Sequence, residues 1–149
     1  MKIIVDTNII FSALLNTNGS IGDLLMNSDK NIEFYSCTYM RYEIKKHWDK
    51  LQQISTLSTE ELSDSYFQIG SRIHFINEPL IPSETGLKAK NLVKDIDIDD
   101  IDFVALTLYL KGNLWTGDKE LYNGLKKTGF KRIFNTDELK AYRLAHFHS

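Results

Sequence analysis

The spacing of hydrophobic positions changes repeatedly along this chain, and each change marks an element. Ile3, Ile4 and Val5 form an unbroken β-branched run. Such a run suits a strand buried on both faces, as in a parallel sheet. It ends in Asp6, and Thr7 and Asn8 suit a helix start. Ile9 to Leu15 then reads as a short, very apolar helix. Residues 16–20 read as a loop, with Ser20 placed to cap a second helix carrying Ile21, Leu24, Leu25 and Met26. After a turn at 27–30, residues 33–37 read as a second strand. Thr38 opens a long helix to about Gln53, with Tyr39, Tyr42, Ile44, Trp48 and Leu51 on its apolar faces. Glu43 and His47 lie one turn apart on it.

Ser58 or Thr59, followed by Glu60 and Glu61, opens the next helix, which runs to about Arg72. His74 to Ile76 reads as a short third strand. Pro79 and Pro82 enclose a loop, and Ser83 caps a helix holding Leu87, Ala89, Leu92 and Val93. Residues 95–102 alternate like a strand, but five acidic side chains in eight positions are hard to place in a sheet. They read as a loop leading into a helix capped near Asp99 or Asp100. That helix, 103–110, is apolar all round, which predicts a central position. Residues 111–113 form a stop and turn. Leu114 to Thr116 is a fourth strand, ended by Gly117 and Asp118. Leu121, Leu125 and a stop at Gly129 define another helix, and 132–134 a fifth strand. Thr136 caps a last helix with Glu138, Lys140 and Arg143 on its wet face, leaving His146 and His148 in a frayed tail.

Strands alternating with helices imply a parallel or mostly parallel sheet covered on both faces. No repeat, low-complexity tract or linker divides the sequence, so one domain over 1–149 is expected.

Composition narrows the function more than the fold. The 149 residues suffice for a real core. A 42% hydrophobic and 26% charged content is ordinary for a globular chain. A formal net charge of −2 argues against a protein held to nucleic acid by bulk charge, though not against a nuclease with a local basic rim. Cys37 is the only cysteine, which excludes an intrachain disulfide and disfavours a cysteine-based zinc site. The start lacks the pattern of a signal peptide. No apolar run approaches the roughly 20 residues of a membrane span. The expected setting is reducing and cytoplasmic, away from membranes.

Asp6 and Asp118 share a context: each closes a strand and opens a helix. Parallel strands bring such positions to one edge of the sheet, where ligand sites gather. If these two strands are neighbours with helices on opposite faces, both acids line one crevice. Asp100 starts the apolar helix that leads into the fourth strand, and Glu43 lies early in the helix after the second. Four carboxylates can therefore meet at one end of the molecule. Like charges held close resist ionising together. A cation offsets that repulsion, and an oxygen-only set suits Mg²⁺ or Mn²⁺. Taken singly, Asp6, Asp100 and Asp118 also read as helix caps, and Glu43 as a solvated helix residue.

These residues resemble a known family. Ile-Val-Asp6-Thr-Asn8 near the N-terminus, Glu43 after the second strand, Asp100-Ile-Asp-Phe-Val-Ala-Leu, and Trp-Thr116-Gly-Asp118-Lys-Glu-Leu look like the PIN-domain ribonucleases. The likeness covers nearly the whole chain, in order. It implies a three-layer α/β/α sandwich with a five-stranded parallel sheet of order 3-2-1-4-5, which makes strands one and four neighbours. It implies a Mg²⁺- or Mn²⁺-dependent nuclease acting on RNA. Asp6, Glu43, Asp100 and Asp118 correspond to the family's acidic site, with Asp6, Asp100 and Asp118 as metal ligands. Asn8 and Thr116 correspond to residues that hold the acids in place. Asp99 and Asp102 are nearby extras without an assigned role. The VapC-type members add an expected antitoxin partner, with a homodimer among the assemblies left open. The dense acidic 95–102 segment and the negative net charge depart from the small toxin-type members.

Other groups have bland readings beside functional ones. Lys126, Lys127, Lys131 and Arg132, or Lys45 and Lys46, can guide a phosphate backbone, but solvated helix faces are the expectation. Tyr39, Tyr42, Trp48 and Phe67 can stack on bases, yet core packing is expected. His47 is a minor candidate for the metal site, and Cys37 reads as core. Two rival functions stand beside the nuclease. One is a non-catalytic PIN-like module binding RNA or protein, against which the four acids argue. The other is a phosphatase-like hydrolase, against which Asn8 argues, because that class places a second Asp two residues after its nucleophile.

Overall fold

The computed structural model describes residues 1–146. The chain alternates β1 (Lys2–Val5), α1 (Thr7–Leu15), α2 (Ser20–Asn27), β2 (Glu33–Cys37), α3 (Tyr39–Lys46), α4 (Trp48–Ile54), α5 (Thr59–Gly70) and β3 (Ile73–Ile76). It continues through α6 (Ser83–Val93), α7 (Ile101–Leu110), β4 (Asn113–Trp115), α8 (Lys119–Lys127), β5 (Ile133–Phe134) and α9 (Thr136–His146). Single 3-10 turns stand at Glu78–Leu80 and Ile98–Asp100. All strand pairs are parallel, and the order is β3-β2-β1-β4-β5. This is the expected α/β sandwich, with β1 at its centre.

The β-branched run explains the central position of β1. Ile3, Ile4 and Val5 are fully buried, as a strand covered by helices on both faces requires. Ile4 pairs with Leu114 and Val5 with Trp115 in β4. That register puts Asp6 and Thr116 level with one another, each one residue past its strand. Trp115 and Phe34 pack at 6.0 Å between ring centroids, deep in the same core.

Several local readings change. The long helix expected over 38–53 is two helices that part at His47, whose φ of −102° and ψ of 13° leave the helical range. Two ring contacts stand at the bend: His47 meets Phe11 edge-on, and Trp48 meets Tyr66. Thr38 does not cap α3 with its side chain. Glu78, forty residues on, does so instead, accepting from the Thr38 hydroxyl and the Tyr39 N–H. Ser20 and Ser83 start their helices without a side-chain cap. At α9 the capping pair is Asn135 and Glu138 rather than Thr136, each side chain accepting the other's backbone N–H. The Ser58–Glu61 capping box stands as the sequence suggested. Only the first part of α7 is central: Phe103 to Thr107 are buried, while Tyr109 is 41% exposed. His146 is the last residue of α9, its ring stacked on Tyr142, and not part of a frayed tail. His148 lies outside the described residues.

The turn from α7 into β4 is tight. Lys111 takes a left-handed φ of 55° at the helix end. Gly112 then passes so close to β1 that an added Cβ would stand 2.7 Å from the Lys2 carbonyl oxygen and 2.6 Å from the Ile4 side chain.

Candidate metal centre

Each acid reaches the same edge of the sheet by its own element. Asp6 leaves β1 and caps α1, its Oδ1 accepting from the Ile9 N–H at 3.1 Å. Its Oδ2 accepts from the Thr116 hydroxyl at the end of β4. The same hydroxyl oxygen accepts the Asp118 N–H at 3.0 Å. Asp118 in turn caps α8, with Oδ1 taking the N–H groups of Glu120 and Leu121 at 2.9 and 3.2 Å. Both acids cap a helix with Oδ1; Asp118 keeps its Oδ2 for the site, while the Oδ2 of Asp6 is held by Thr116.

Asp100 differs. It stands at the start of α7 but makes no capping bond. Its Oδ2 is buried, and among the described residues it is the one buried side-chain oxygen or nitrogen without a hydrogen-bond partner. Such a group is costly unless something compensates it. Asp97, Asp100 and Asp118 each offer a carboxylate oxygen, and these atoms lie within 4.8 Å of one another. Asp97 was not among the sequence candidates. Its Oδ1 accepts the Asp99 N–H at 3.0 Å, so the acidic segment closes a 3-10 turn that sets Asp97 beside Asp100.

The electrostatics follow the geometry. Burial, then repulsion from Asp118 and Glu43, pushes Asp6 up to about 6 against the pull of its hydrogen bonds from Thr116 and Ile9. Burial, followed by repulsion from Asp6, Asp97, Asp118 and Asp99, pushes Asp100 up to about 7. These acids are short of positive charge, and an all-oxygen donor set with an orphaned carboxylate oxygen fits a hard divalent cation. Asp6 and Glu43 lie outside that close trio; Glu43 acts on Asp6 from α3, where its Oε1 accepts from the Thr7 hydroxyl at 2.5 Å.

A family model described as the PIN domain matches residues 4–143. The chain belongs to the PIN-domain family. No curated protein matches it. Its fold is shared with solved structures of low sequence identity. VapBC2 from Rickettsia felis, bound to a DNA fragment from their promoter, aligns with a TM-score of 0.69 at 15% identity, over 91% of this chain and 98% of that one. PAE2754 from Pyrobaculum aerophilum gives 0.67 at 14% identity, over 98% and 91%. VapBC-1 from nontypeable Haemophilus influenzae gives 0.64 at 16%, over 92% and 99%.

Within this PIN domain, Asp6, Glu43, Asp100, Asp118 and Thr116 lie at one sheet edge. Asn8 is different: it is exposed and makes no hydrogen bond to Asp6. Thr116 holds Asp6, and Thr7, which sequence reasoning passed over, holds Glu43. Asp102 lies in the first turn of α7, where burial and then Glu78 raise its pKa. His47 meets the Phe11 ring edge-on and is not part of the Asp97, Asp100 and Asp118 cluster. Lys126 and Lys127 end α8, and Lys131 and Arg132 precede β5, so they occupy the sheet edge opposite the acids. Cys37 is fully buried, its thiol pushed up to about 12 by burial. Tyr39, Tyr42 and Phe67 are exposed at 37%, 59% and 78%, not core. Beside Asp118 a cavity of about 250 Å³ runs between the ends of β4 and β5, lined by Lys119, Tyr122, Asn135 and Asp137 among others.

Proposed function

We propose that this PIN domain is a divalent-metal-dependent endoribonuclease, hydrolysing RNA phosphodiester bonds at the acidic edge. The observation that carries this reading is the buried, unpartnered Oδ2 of Asp100, set among Asp97 and Asp118. Asp6, Asp100 and Asp118 would hold Mg²⁺ or Mn²⁺, with Asp97 offering a further oxygen. The ion, when bound, supplies Lewis acidity toward a phosphoryl oxygen and lowers the pKa of an attacking water. Thr116 fixes Asp6 and the Asp118 backbone together, so the ligands are positioned before substrate arrives. Glu43 is tied at one oxygen by Thr7 and has the other available to take a proton from the attacking water.

The VapBC neighbours support a toxin–antitoxin setting, with an antitoxin protein as the partner of this chain. Single-stranded RNA incubated with the protein should be cut in Mn²⁺ or Mg²⁺. Cleavage should stop in excess chelator and return when metal is restored. Asp118→Asn should fold normally and lose nearly all cleavage. Wild-type cutting that persists in chelator would sink the metal mechanism.

A further inference from the structure

The helix that carries Glu43 also carries an aromatic pair. The Tyr39 and Tyr42 rings stack at 5.9 Å between centroids, tilted by 24°. Both are exposed, Tyr42 the more so at 59%. Exposing two large rings together is unfavourable unless something covers them. They are not on a loose segment, since Glu78 clamps the start of α3 at Thr38 and Tyr39. They border the acids through Tyr39, which stands one helical turn before Glu43 and feels its charge. The field of Glu43, then burial, Asp99 and Asp102 hold the Tyr39 phenol above its usual range.

The charges around the pair say what kind of ligand it takes. Glu43 of α3, Asp99 of the 3-10 turn and Asp102 of α7 act on Tyr39, Lys45 and Lys46 follow Tyr42 by three and four residues in the last turn of α3, and the Lys126–Arg132 cluster lies at the far edge of the sheet. A polyanion approaching this site meets those two lysines and the carboxylates together, so bulk charge alone does not hold it. Stacking of bases on aromatic rings supplies affinity that does not depend on cations, and it requires bases whose faces are free. We infer that the Tyr39–Tyr42 pair is a stacking subsite for unpaired nucleobases beside the scissile phosphate, making the enzyme selective for single-stranded RNA. This inference rests on the nuclease reading.

The test uses the full chain and a labelled single-stranded RNA of about ten nucleotides, within the range of single-strand sites. Binding is followed by fluorescence anisotropy in the Asp118→Asn background, and cleavage in the otherwise wild-type chain with Mn²⁺. Tyr42→Ala should weaken binding roughly tenfold, a typical loss for one stacked base. The slope of affinity against salt should not change, because no phosphate contact is lost. Tyr42→Phe should bind like the parent. In the active chain, Tyr42→Ala should raise KM and largely keep kcat. A duplex of the same sequence should bind poorly to both proteins. If the wild type cuts RNA while Tyr39→Ala and Tyr42→Ala bind and cut as it does, the subsite is wrong and the nuclease stands. The pair then covers a protein partner's surface. A loss in Tyr42→Ala that is as large for duplex as for single strand also overturns it. If the wild type neither binds nor cuts RNA, the nuclease reading falls first.

Discussion

The Thr116 hydroxyl bridges to Asp6 across 110 positions of sequence. It donates to the Asp6 carboxylate and accepts the Asp118 N–H, so one small side chain ties the ends of β1 and β4 together. Thr116 is itself buried. Thr116→Val keeps the shape and removes the hydroxyl, leaving the Asp118 N–H and an Asp6 oxygen without that partner. The expected loss of stability is about 1–3 kcal/mol. Metal affinity should fall by about 10–100-fold, as for other groups that hold a ligand. Thr116→Ser restores the hydroxyl and should recover most of both. A thermal melt and a Mn²⁺ titration read the two effects.

Asn8 provides the contrast. Exposed and unbonded to Asp6, it should tolerate Asn8→Ala with an unchanged Mn²⁺ affinity. A tenfold or greater weakening, the scale of a true supporting residue, would return Asn8 to the site.

Metal-free stability should depend on pH in an unusual direction. Asp6 and Asp100 titrate near 6 and 7 in the folded chain, above the ordinary 3.8. Between pH 4 and 7 the folded form therefore holds protons that the unfolded chain has released. Stability falls as pH rises through this window and levels off above it. Metal binding runs the other way, since it must displace those protons, and affinity should rise with pH over the same interval. Melts at several pH values in chelator, repeated with Mn²⁺, check both slopes.

Asp100→Asn isolates one member of the cluster. Without metal at neutral pH it should melt higher than the wild type, because a buried charge and its repulsion with Asp6, Asp97 and Asp118 are gone. At about 100 times the dissociation constant, a bound ion adds roughly 2.7 kcal/mol to the wild type. That corresponds to roughly 5–10 °C for a domain near this size. The variant, lacking a ligand, should gain much less, so the two melting curves should cross when Mn²⁺ is added. Equal melting of both proteins with and without metal would remove Asp100 from the site.

Gly112→Ala tests the turn that delivers β4. The new Cβ meets the Lys2 carbonyl, a backbone atom that cannot swing aside as a side-chain end would. A loss of about 1–3 kcal/mol is expected, as in other overpacked sites. Gly70→Ala, where an added Cβ meets nothing within 4 Å, is the control and should not lose stability in this way.

The sequence revealed what local pattern controls. The Ile3–Val5 run announced a buried central strand, and the strand-then-acid pattern at Asp6 and Asp118 placed both at the carboxyl edge. What it concealed depends on distant partners. Nothing near Thr38 shows that Glu78 will cap its helix. The bend at His47 interrupts apolar spacing that, read alone, continues through Leu51. The alternation of residues 95–102 hid the 3-10 turn that brings Asp97 to Asp100. The apolar look of Tyr39 and Tyr42 suggested core, because hydrophobic spacing cannot distinguish a face that packs from one left open.

The central place of β1 also dictates when the acidic edge can exist. β1 can pair with β2 as soon as residue 37 has been made, but its other edge waits for residues 113–115. Pairing residues so far apart in sequence favours slow folding. Asp6 emerges early, whereas Thr116 and Asp118 arrive with the last third of the chain. A nascent polypeptide on the ribosome thus carries only fragments of the cluster through most of its synthesis. The full carboxylate set can therefore come together only after β4 and Asp118 have been synthesised.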